Sequence, residues 1–165
     1  MTTTKQRKYD IAYLKMAQEW AKLSHCKRKQ VGALIVKDKM IISDGYNGTP
    51  TGFDNACEDD ENCTKWYVLH AEANAIMKVA ASTQSSKDAT LYVTLSPCRD
   101  CSKLIYQSGI IRVVYNIEYK DKSGINFLND SDHANEIKKK AKKRIDYLMV
   151  PILSNGLWDL SLIHI

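Results

Sequence analysis

Long hydrophobic runs are missing from this sequence of 165 residues. No apolar stretch approaches the ~20 residues that a membrane-spanning helix needs, so an integral membrane protein is not expected. From Met1 to Lys8 the chain is basic and polar, and it lacks the apolar segment of a secretory signal peptide. We therefore expect a cytoplasmic protein that makes no membrane contact.

The sequence also lacks an even set of cysteines and a strong excess of one charge. It has five cysteines, an odd number, and without an export signal such thiols favour metal binding over a disulfide framework. The net charge of +5 is modest and uneven, with basic residues at 27–29, 138–140 and 142–144 and acidic residues at 58–61. This distribution suits an anionic small molecule as well as it suits nucleic acid.

Residues that can bind a metal are concentrated in two short motifs. His70 lies two residues before Glu72, and Cys98 and Cys101 form a C-x-x-C pair directly after Pro97. One imidazole and two thiolates suit a catalytic zinc, where three protein ligands leave the fourth position for water. Glu72 can share the pocket without binding the metal, as a carboxylate that shuttles protons. H-x-E paired with P-C-x-x-C is the signature of the zinc nucleobase deaminases.

Both motifs lie where a predicted strand or loop gives way to a helix, so helix dipoles favour thiolates at Cys98 and Cys101. A strand, helix, strand succession with a short return implies parallel neighbours. We predict one α/β domain over residues 1–165, a three-layer α/β/α sandwich with a mixed sheet of about five strands. The predicted elements are a helix starting after Asp10 and ending near Ser24, a hairpin of strands 31–36 and 40–46, a helix after Glu72, strand 90–95, helix 98–108, strand 110–115, helix 132–144 and strand 145–151.

Two further groups of residues invite a functional interpretation. The glycine-rich segment Gly45-Tyr46-Asn47-Gly48 follows the hairpin, and the Asn47 amide can both donate to and accept from a sugar hydroxyl. Three cysteines lie outside the main motifs: Cys26, Cys57 and Cys63. They could form a second zinc site whose fourth ligand cannot be named, or remain free structural thiols.

The chain resembles the cytidine deaminase-like superfamily, and within it the deoxycytidylate (dCMP) deaminases. The resemblance covers about residues 8–128, and residues 129–165 are a divergent extension that inherits nothing from the family. It rests on the segment Gly45–Gly48, the strand segment Val31-Gly32-Ala33 and the segments His70–Ile76 and Leu91–Cys98.

The resemblance implies zinc-dependent hydrolysis of dCMP to dUMP and ammonia, which supplies thymidylate synthesis. It also implies a homo-oligomer, often a hexamer, that is activated by dCTP, with Mg²⁺ accompanying the triphosphate, and inhibited by dTTP. The effector contacts would involve Gly45, Tyr46, Asn47 and Gly48. Some relatives hold a structural zinc through a cysteine at the position of Cys26, which strengthens the second-zinc hypothesis.

Site roles follow from the same resemblance combined with the chemistry of the reaction. Glu72 takes a proton from the attacking water and delivers it to the base. The backbone N–H of Ala71 and the carbonyl of Ser96 read the base edge, while Asn47 holds the sugar. The phosphate needs cations or hydrogen-bond donors, for which the candidates are Arg28, Ser24 and Tyr119.

Four alternatives differ in substrate or in class. The substrate could be another cytosine nucleotide such as dCTP. It could also be free cytidine, but the extended G-Y-N-G loop argues against a nucleoside that lacks a phosphate. A tRNA-editing adenosine deaminase would share the metal site but needs a basic RNA-binding face, and the lysine cluster at 138–144 lies outside the matching region, so nucleic acid is not expected. A non-enzymatic zinc module would have no use for Glu72 beside a three-ligand site.

Overall fold

The computed structural model describes residues 4–130, which form four helices and the four strands of one sheet. The predicted helix 132–144 and strand 145–151 lie outside the described residues. No helix within residues 4–130 combines the length and the apolar character needed to cross a membrane. The elements are α1 (Thr4–Ala21), β1 (Gly32–Lys37), β2 (Met40–Tyr46), α2 (Ala71–Ala80), β3 (Thr90–Leu95), α3 (Arg99–Gln107), β4 (Arg112–Ile117) and α4 (Ser123–Asp130).

The four strands of this sheet have the order β2-β1-β3-β4. β1 and β2 form the predicted hairpin, and the turn residues Asp38 and Lys39 have φ angles of 50° and 65°, as a primed two-residue turn requires. β1 also pairs antiparallel with β3, whereas β3 and β4 are parallel because α3 carries the chain back between them. The sheet is therefore mixed, as the sequence predicts, with four strands in the described part of the chain.

Apolar side chains cover both faces of the sheet, which gives the predicted three layers. Ala33 and Ile35 of β1 belong to the core beneath α2, while Leu34 and Val36 of the same strand pack under α1. A strand buried on both faces has a continuous apolar run, and this explains the segment from Ala33 to Val36. The two cores fix α1 on one face of the sheet and α2 on the other.

The start of α1 differs from the prediction. The helix begins at Thr4, so Asp10 is an interior residue of the helix rather than its N-cap. Asp10 is 0% exposed, and its carboxylate accepts hydrogen bonds from the Tyr92 hydroxyl at 2.7 Å and from Arg112 Nη1 and Nη2 at 2.8 and 2.7 Å. The prediction was wrong because a good N-cap residue is equally suited to pair with an arginine that lies far away in the sequence.

α4 was not predicted, because residues 123–130 have weak helical signals. Its first turn lies directly on the loop before α3, and a Cβ at Gly124 would be 2.4 Å from the Pro97 carbonyl oxygen. Ile125 and Leu128 are buried in the core beneath α2 and α3. The helix thus depends on tertiary packing, and it supports the segment that carries Cys98.

Candidate active site

The two metal-binding motifs occupy equivalent places at the start of neighbouring helices. His70 is the N-cap of α2 and Cys98 is the N-cap of α3, each with extended backbone. The carbonyl of Cys98 accepts from the backbone N–H of Ser102 and from its hydroxyl, both at 2.9 Å. The ligands are therefore held by regular helix ends rather than by free loops.

His70, Cys98 and Cys101 converge on one point. Nδ1 of His70 lies 3.5 Å from Sγ of Cys98 and 3.4 Å from Sγ of Cys101. The three candidate ligand atoms lie within 4.8 Å of one another, and no other group of three or more His, Cys, Asp or Glu residues in the described part of the chain forms such a cluster. One imidazole and two thiols at this separation fit a zinc ion with a further position open.

The hydrogen bonds within the cluster favour the thiolate form of Cys98. The hydrogen bond from Cys101, followed by the one with His70, lowers the pKa of Cys98 to about 4. The pKa of Cys101 is raised, because its thiol donates to Cys98 and because it is buried. The hydrogen bond with Cys98 raises the pKa of His70. An electron-rich sulfur beside an imidazole is suited to receiving a divalent cation.

Glu72 lies in the first turn of α2, directly behind the cluster. It is only 4% exposed, and burial raises the pKa of its carboxyl group, which is also in hydrogen-bonding contact with Cys101. A buried carboxyl group with a raised pKa can exchange a proton with a substrate more readily than an ordinary surface glutamate. The role of Glu72 as a proton shuttle stays a prediction, for which this burial is a suitable setting.

The site opens into a cavity of about 580 Å³, large enough for a small organic ligand. His70, Ala71 and Glu72 line one part of it together with Ser96 and Cys98. A second group of lining residues, which we call the distal end, comprises Cys26, Arg28, Lys29, Glu58 and Thr64. The remaining lining residues are Val31, Asn47, Val68, Leu95, Ile117, Glu118, Tyr119 and Lys120.

Of the residues predicted to contact substrate, Asn47, Ala71, Ser96, Arg28 and Tyr119 line this cavity. The Asn47 side chain is partly used by the protein itself. Its Oδ1 accepts from the Val31 N–H and its Nδ2 donates to the Lys29 carbonyl, both at 2.7 Å. Asn47 therefore holds the loop before β1 in place, and one Nδ2 hydrogen is left over for a ligand.

Ser24, predicted to contact the phosphate, is not among the residues that line the cavity. The residue is buried, its hydroxyl donates to the Asn47 carbonyl at 2.7 Å, and the same oxygen accepts from the Cys26 N–H at 3.2 Å. Its hydroxyl is thus occupied in fixing the loop. Ser96 has a comparable second task, because its Oγ accepts from the Tyr119 N–H at 2.7 Å.

The segment Gly45–Gly48, predicted to contact effectors, braces α2, the helix that carries Glu72. A Cβ at Gly45 would lie 2.3 Å from the Ala71 carbonyl oxygen, so only glycine allows this approach of β2 to α2. The carbonyl of Tyr46 accepts from Asn74 Nδ2 at 2.8 Å. Gly48 pairs with Leu69, the residue before His70. Of the four residues, Asn47 lines the cavity and the other three do not.

The cysteines outside the main motifs are arranged differently from the predicted second zinc site. Cys26 and Cys57 are joined in a disulfide, and Cys63 is a free, exposed thiol. Among residues 4–130, Cys63 belongs to no cluster of three potential ligands. The expectation of metal binding or free thiols is corrected for Cys26 and Cys57, because a long loop brings two residues 31 positions apart into contact.

Several cavity residues were missed by the sequence interpretation. Lys29, Glu58, Thr64 and Lys120 all line the cavity. Lys29 follows Arg28 and could have been found from the basic run, but Glu58 and Thr64 lie in a loop without a motif. Only the pairing of this loop with residues 26–28 brings them to the cavity.

Comparison with known proteins gives a family match over most of this region. The family profile described as "Cytidine and deoxycytidylate deaminase zinc-binding region" matches residues 7–117. A deoxycytidylate deaminase of Saccharomyces cerevisiae is 36% identical over 121 residues, which are 68% of this chain and 38% of that protein. The chain therefore spans little more than a third of that relative's length.

Two phage proteins match over most of their own length. A deoxycytidylate deaminase of Mycobacterium phage D29 is 37% identical over 121 residues, covering 65% of this chain and 93% of the relative. The crystal structure of a dCMP deaminase from the cyanophage S-TIM5, in complex with dCMP and dUMP, superposes with a TM-score of 0.73 at 42% identity. That superposition covers 78% of this chain and 93% of the phage chain.

Proposed function

Since the chain belongs to the cytidine and deoxycytidylate deaminase family, we propose that it hydrolyses dCMP to dUMP and ammonia and so supplies dUMP for thymidylate synthesis. One observation carries the proposal: the cluster of His70, Cys98 and Cys101, backed by the buried Glu72, opens into the same cavity as Arg28. The metal-binding cluster with Glu72 suits the hydrolytic removal of an amino group from a base. The Arg28 guanidinium suits an anionic substituent such as a phosphate.

Glu72 performs the proton transfers of this reaction. His70, Cys98 and Cys101 would hold the zinc ion, which would supply Lewis acidity for the hydrolysis. The Glu72 carboxylate takes a proton from the attacking water as oxygen adds to the ring carbon that bears the amino group. It passes this proton to the ring nitrogen and then transfers the remaining proton of the new hydroxyl to the amino nitrogen. The C–N bond breaks, ammonia leaves, and the hydroxyl becomes the carbonyl of the product.

The base and the sugar are held by backbone groups and by Asn47. Ala71 is the first residue of α2, so its N–H has no partner within the helix and is available to the base. The Ser96 carbonyl stands on the loop after β3, and the hydrogen bonds of Ser96 to Ile117 and Tyr119 fix that loop. The spare Nδ2 hydrogen of Asn47 binds a sugar hydroxyl.

The phosphate binds at the distal end of the cavity. Arg28 Nη1 donates to the Thr64 hydroxyl at 3.3 Å, and no ion pair in residues 4–130 involves Arg28. Its guanidinium charge is thus available to an anion. Lys29 and Lys120 are exposed and line the same cavity, which adds positive charge for a phosphate of about two negative charges.

A panel of substrates tests the proposal. The zinc-loaded chain is assayed for ammonia release from dCMP, dCTP, deoxycytidine and an adenosine-containing tRNA anticodon stem. We expect dCMP to react with the highest kcat/KM. Preference for dCTP, for deoxycytidine or for the tRNA would each replace the proposed substrate, and no turnover of any of them would support a non-enzymatic zinc module.

Regulation, assembly and location extend the proposal and rest on the family resemblance. We propose a cytoplasmic hexamer that is activated by dCTP with Mg²⁺ and inhibited by dTTP. Bracing of α2 by Gly45, Tyr46 and Gly48 supports this, because a ligand that displaced the segment would also move the catalytic helix. Light scattering gives the subunit number, and dCMP turnover with each triphosphate tests the regulation.

A further inference from the structure

Glu58 differs from the other acidic residues of its loop because it alone lines the cavity. Residues 58–61 are all acidic, but of these four only Glu58 lines the cavity. Oε1 of Glu58 accepts hydrogen bonds from the backbone N–H groups of Lys27 at 3.0 Å and Arg28 at 3.1 Å. Two successive N–H groups aimed at one oxygen form an anion-binding nest, and this carboxylate occupies it.

The loop holds this carboxylate in place from both sides. Glu58 forms a β-bridge with Thr64, whose hydroxyl accepts from Arg28 Nη1, and the preceding Cys57 is bonded to Cys26. No ion pair in the part of the chain that the structure describes involves Glu58. Its negative charge is therefore fixed at the distal end without a cationic side chain in direct contact.

From this geometry we infer that Glu58 determines specificity for a monophosphate over longer phosphate chains. The inference rests on the proposed function, in which the base lies at Glu72 and the phosphate at the distal end. A single phosphate meets the guanidinium of Arg28. A second phosphoryl group would bring more negative charge towards a fixed carboxylate, and the backbone donors that could bind it are already occupied.

Glu58→Gln separates the charge from the hydrogen bonds. The glutamine amide oxygen can still accept from the two N–H groups, so the loop keeps its position while the charge is removed. Asp60→Asn is the matched control, because it removes the same charge from the same loop outside the cavity. Glu58→Ser is a second neutral variant should the glutamine variant fold poorly.

The experiment compares dCMP with dCDP as substrates of the zinc-loaded full chain. We expect the ratio of kcat/KM for dCMP to that for dCDP to fall by about tenfold or more in Glu58→Gln and Glu58→Ser, mainly through a lower KM for dCDP. Calorimetry with the products dUMP and dUDP should show tighter dUDP binding by a similar factor. Asp60→Asn should leave unchanged both the kcat/KM ratio of dCMP to dCDP and the relative affinity for dUMP and dUDP.

The outcomes distinguish this inference from the proposed function. Unchanged ratios in both Glu58 variants, or an equal fall in Asp60→Asn, would overturn the role of Glu58 while leaving dCMP deamination intact. If the parent releases no ammonia from dCMP, the proposed function fails, and the dUMP and dUDP binding comparison still decides the role of Glu58.

Discussion

At the scale of single residues, Glu72 separates metal binding from proton transfer. Glu72→Gln keeps a side chain of the same shape behind the cluster but cannot take a proton from water. We expect zinc content to stay at the parental value while dCMP turnover falls by at least about a hundredfold. Metal analysis and an ammonia assay on one preparation measure both. Near-parental turnover in a zinc-loaded variant would contradict the mechanism.

Arg28 is the residue whose removal should affect substrate binding more than chemistry. Arg28→Ala should raise the KM for dCMP by about ten- to a hundredfold with a smaller change in kcat, since a charge-assisted contact to the phosphate is lost. Slow activity on deoxycytidine should hardly change. Arg99→Ala is the matched control, because Arg99 is exposed, pairs with Asp121 and does not line the cavity.

Equal losses on dCMP and deoxycytidine in Arg28→Ala would reject the phosphate role. A shift in the dCTP activation curve with unchanged dCMP kinetics would instead assign Arg28 to an effector site. The two measurements therefore separate substrate binding from regulation at one residue.

At the scale of secondary-structure elements, the buried pair of Asp10 and Arg112 joins α1 to the sheet. Asp10→Ala leaves the Arg112 guanidinium without its partner in a largely buried position, which should destabilise the fold by about 3–5 kcal/mol in urea unfolding. Combining it with Arg112→Met should recover part of the loss. Glu19→Ala, which breaks an exposed pair with Lys22, should change stability by less than about 1 kcal/mol.

A stability loss in Asp10→Ala no larger than that in Glu19→Ala would show that the buried pair does not hold α1 on the sheet. A double variant as unstable as Asp10→Ala would show that the unpaired guanidinium is not the source of the loss. Both results come from the same denaturation experiment.

The contact between β2 and α2 makes a second prediction at this scale. Gly45→Ala would force its methyl group to within 2.3 Å of the Ala71 carbonyl oxygen and 2.7 Å of the Ala75 nitrogen. We expect a loss of about 1–3 kcal/mol together with reduced turnover, because α2 must move. Gly48→Ala is the control, since a Cβ there meets only Tyr46, at 4.0 Å. Parental activity in Gly45→Ala would show that α2 tolerates the displacement.

The elements differ in how well the sequence predicts them. The hairpin, α2, β3, α3 and β4 have local signals, and the metal ligands lie in motifs whose residue types and spacing suffice to identify them. The start of α1, the helix α4 and the placement of Glu58 depend on contacts between distant parts of the chain. Asp10 illustrates the difference, because its pairing with Arg112 bridges 102 positions.

At the scale of the whole molecule, the metal should contribute to stability as well as to catalysis. Its ligands join the ends of α2 and α3, so chelation of zinc should lower the thermal unfolding midpoint, and Cys98→Ala or Cys101→Ala should lose the metal outright. Cys63→Ala should keep one zinc per chain. Two zinc ions per parental chain would contradict the cysteine arrangement and revive the second site.

The arrangement of the cavity also bears on how this protein can change over time. The groups that carry out the chemistry stand on the ends of α2 and α3, whereas Arg28, Glu58, Tyr119 and Lys120 stand on connections between elements. Connections tolerate substitution better than helices packed on a sheet. If the proposed function holds, selection can alter which nucleotide is accepted without rebuilding the metal-binding cluster, and variation in substrate range should accumulate in the loops.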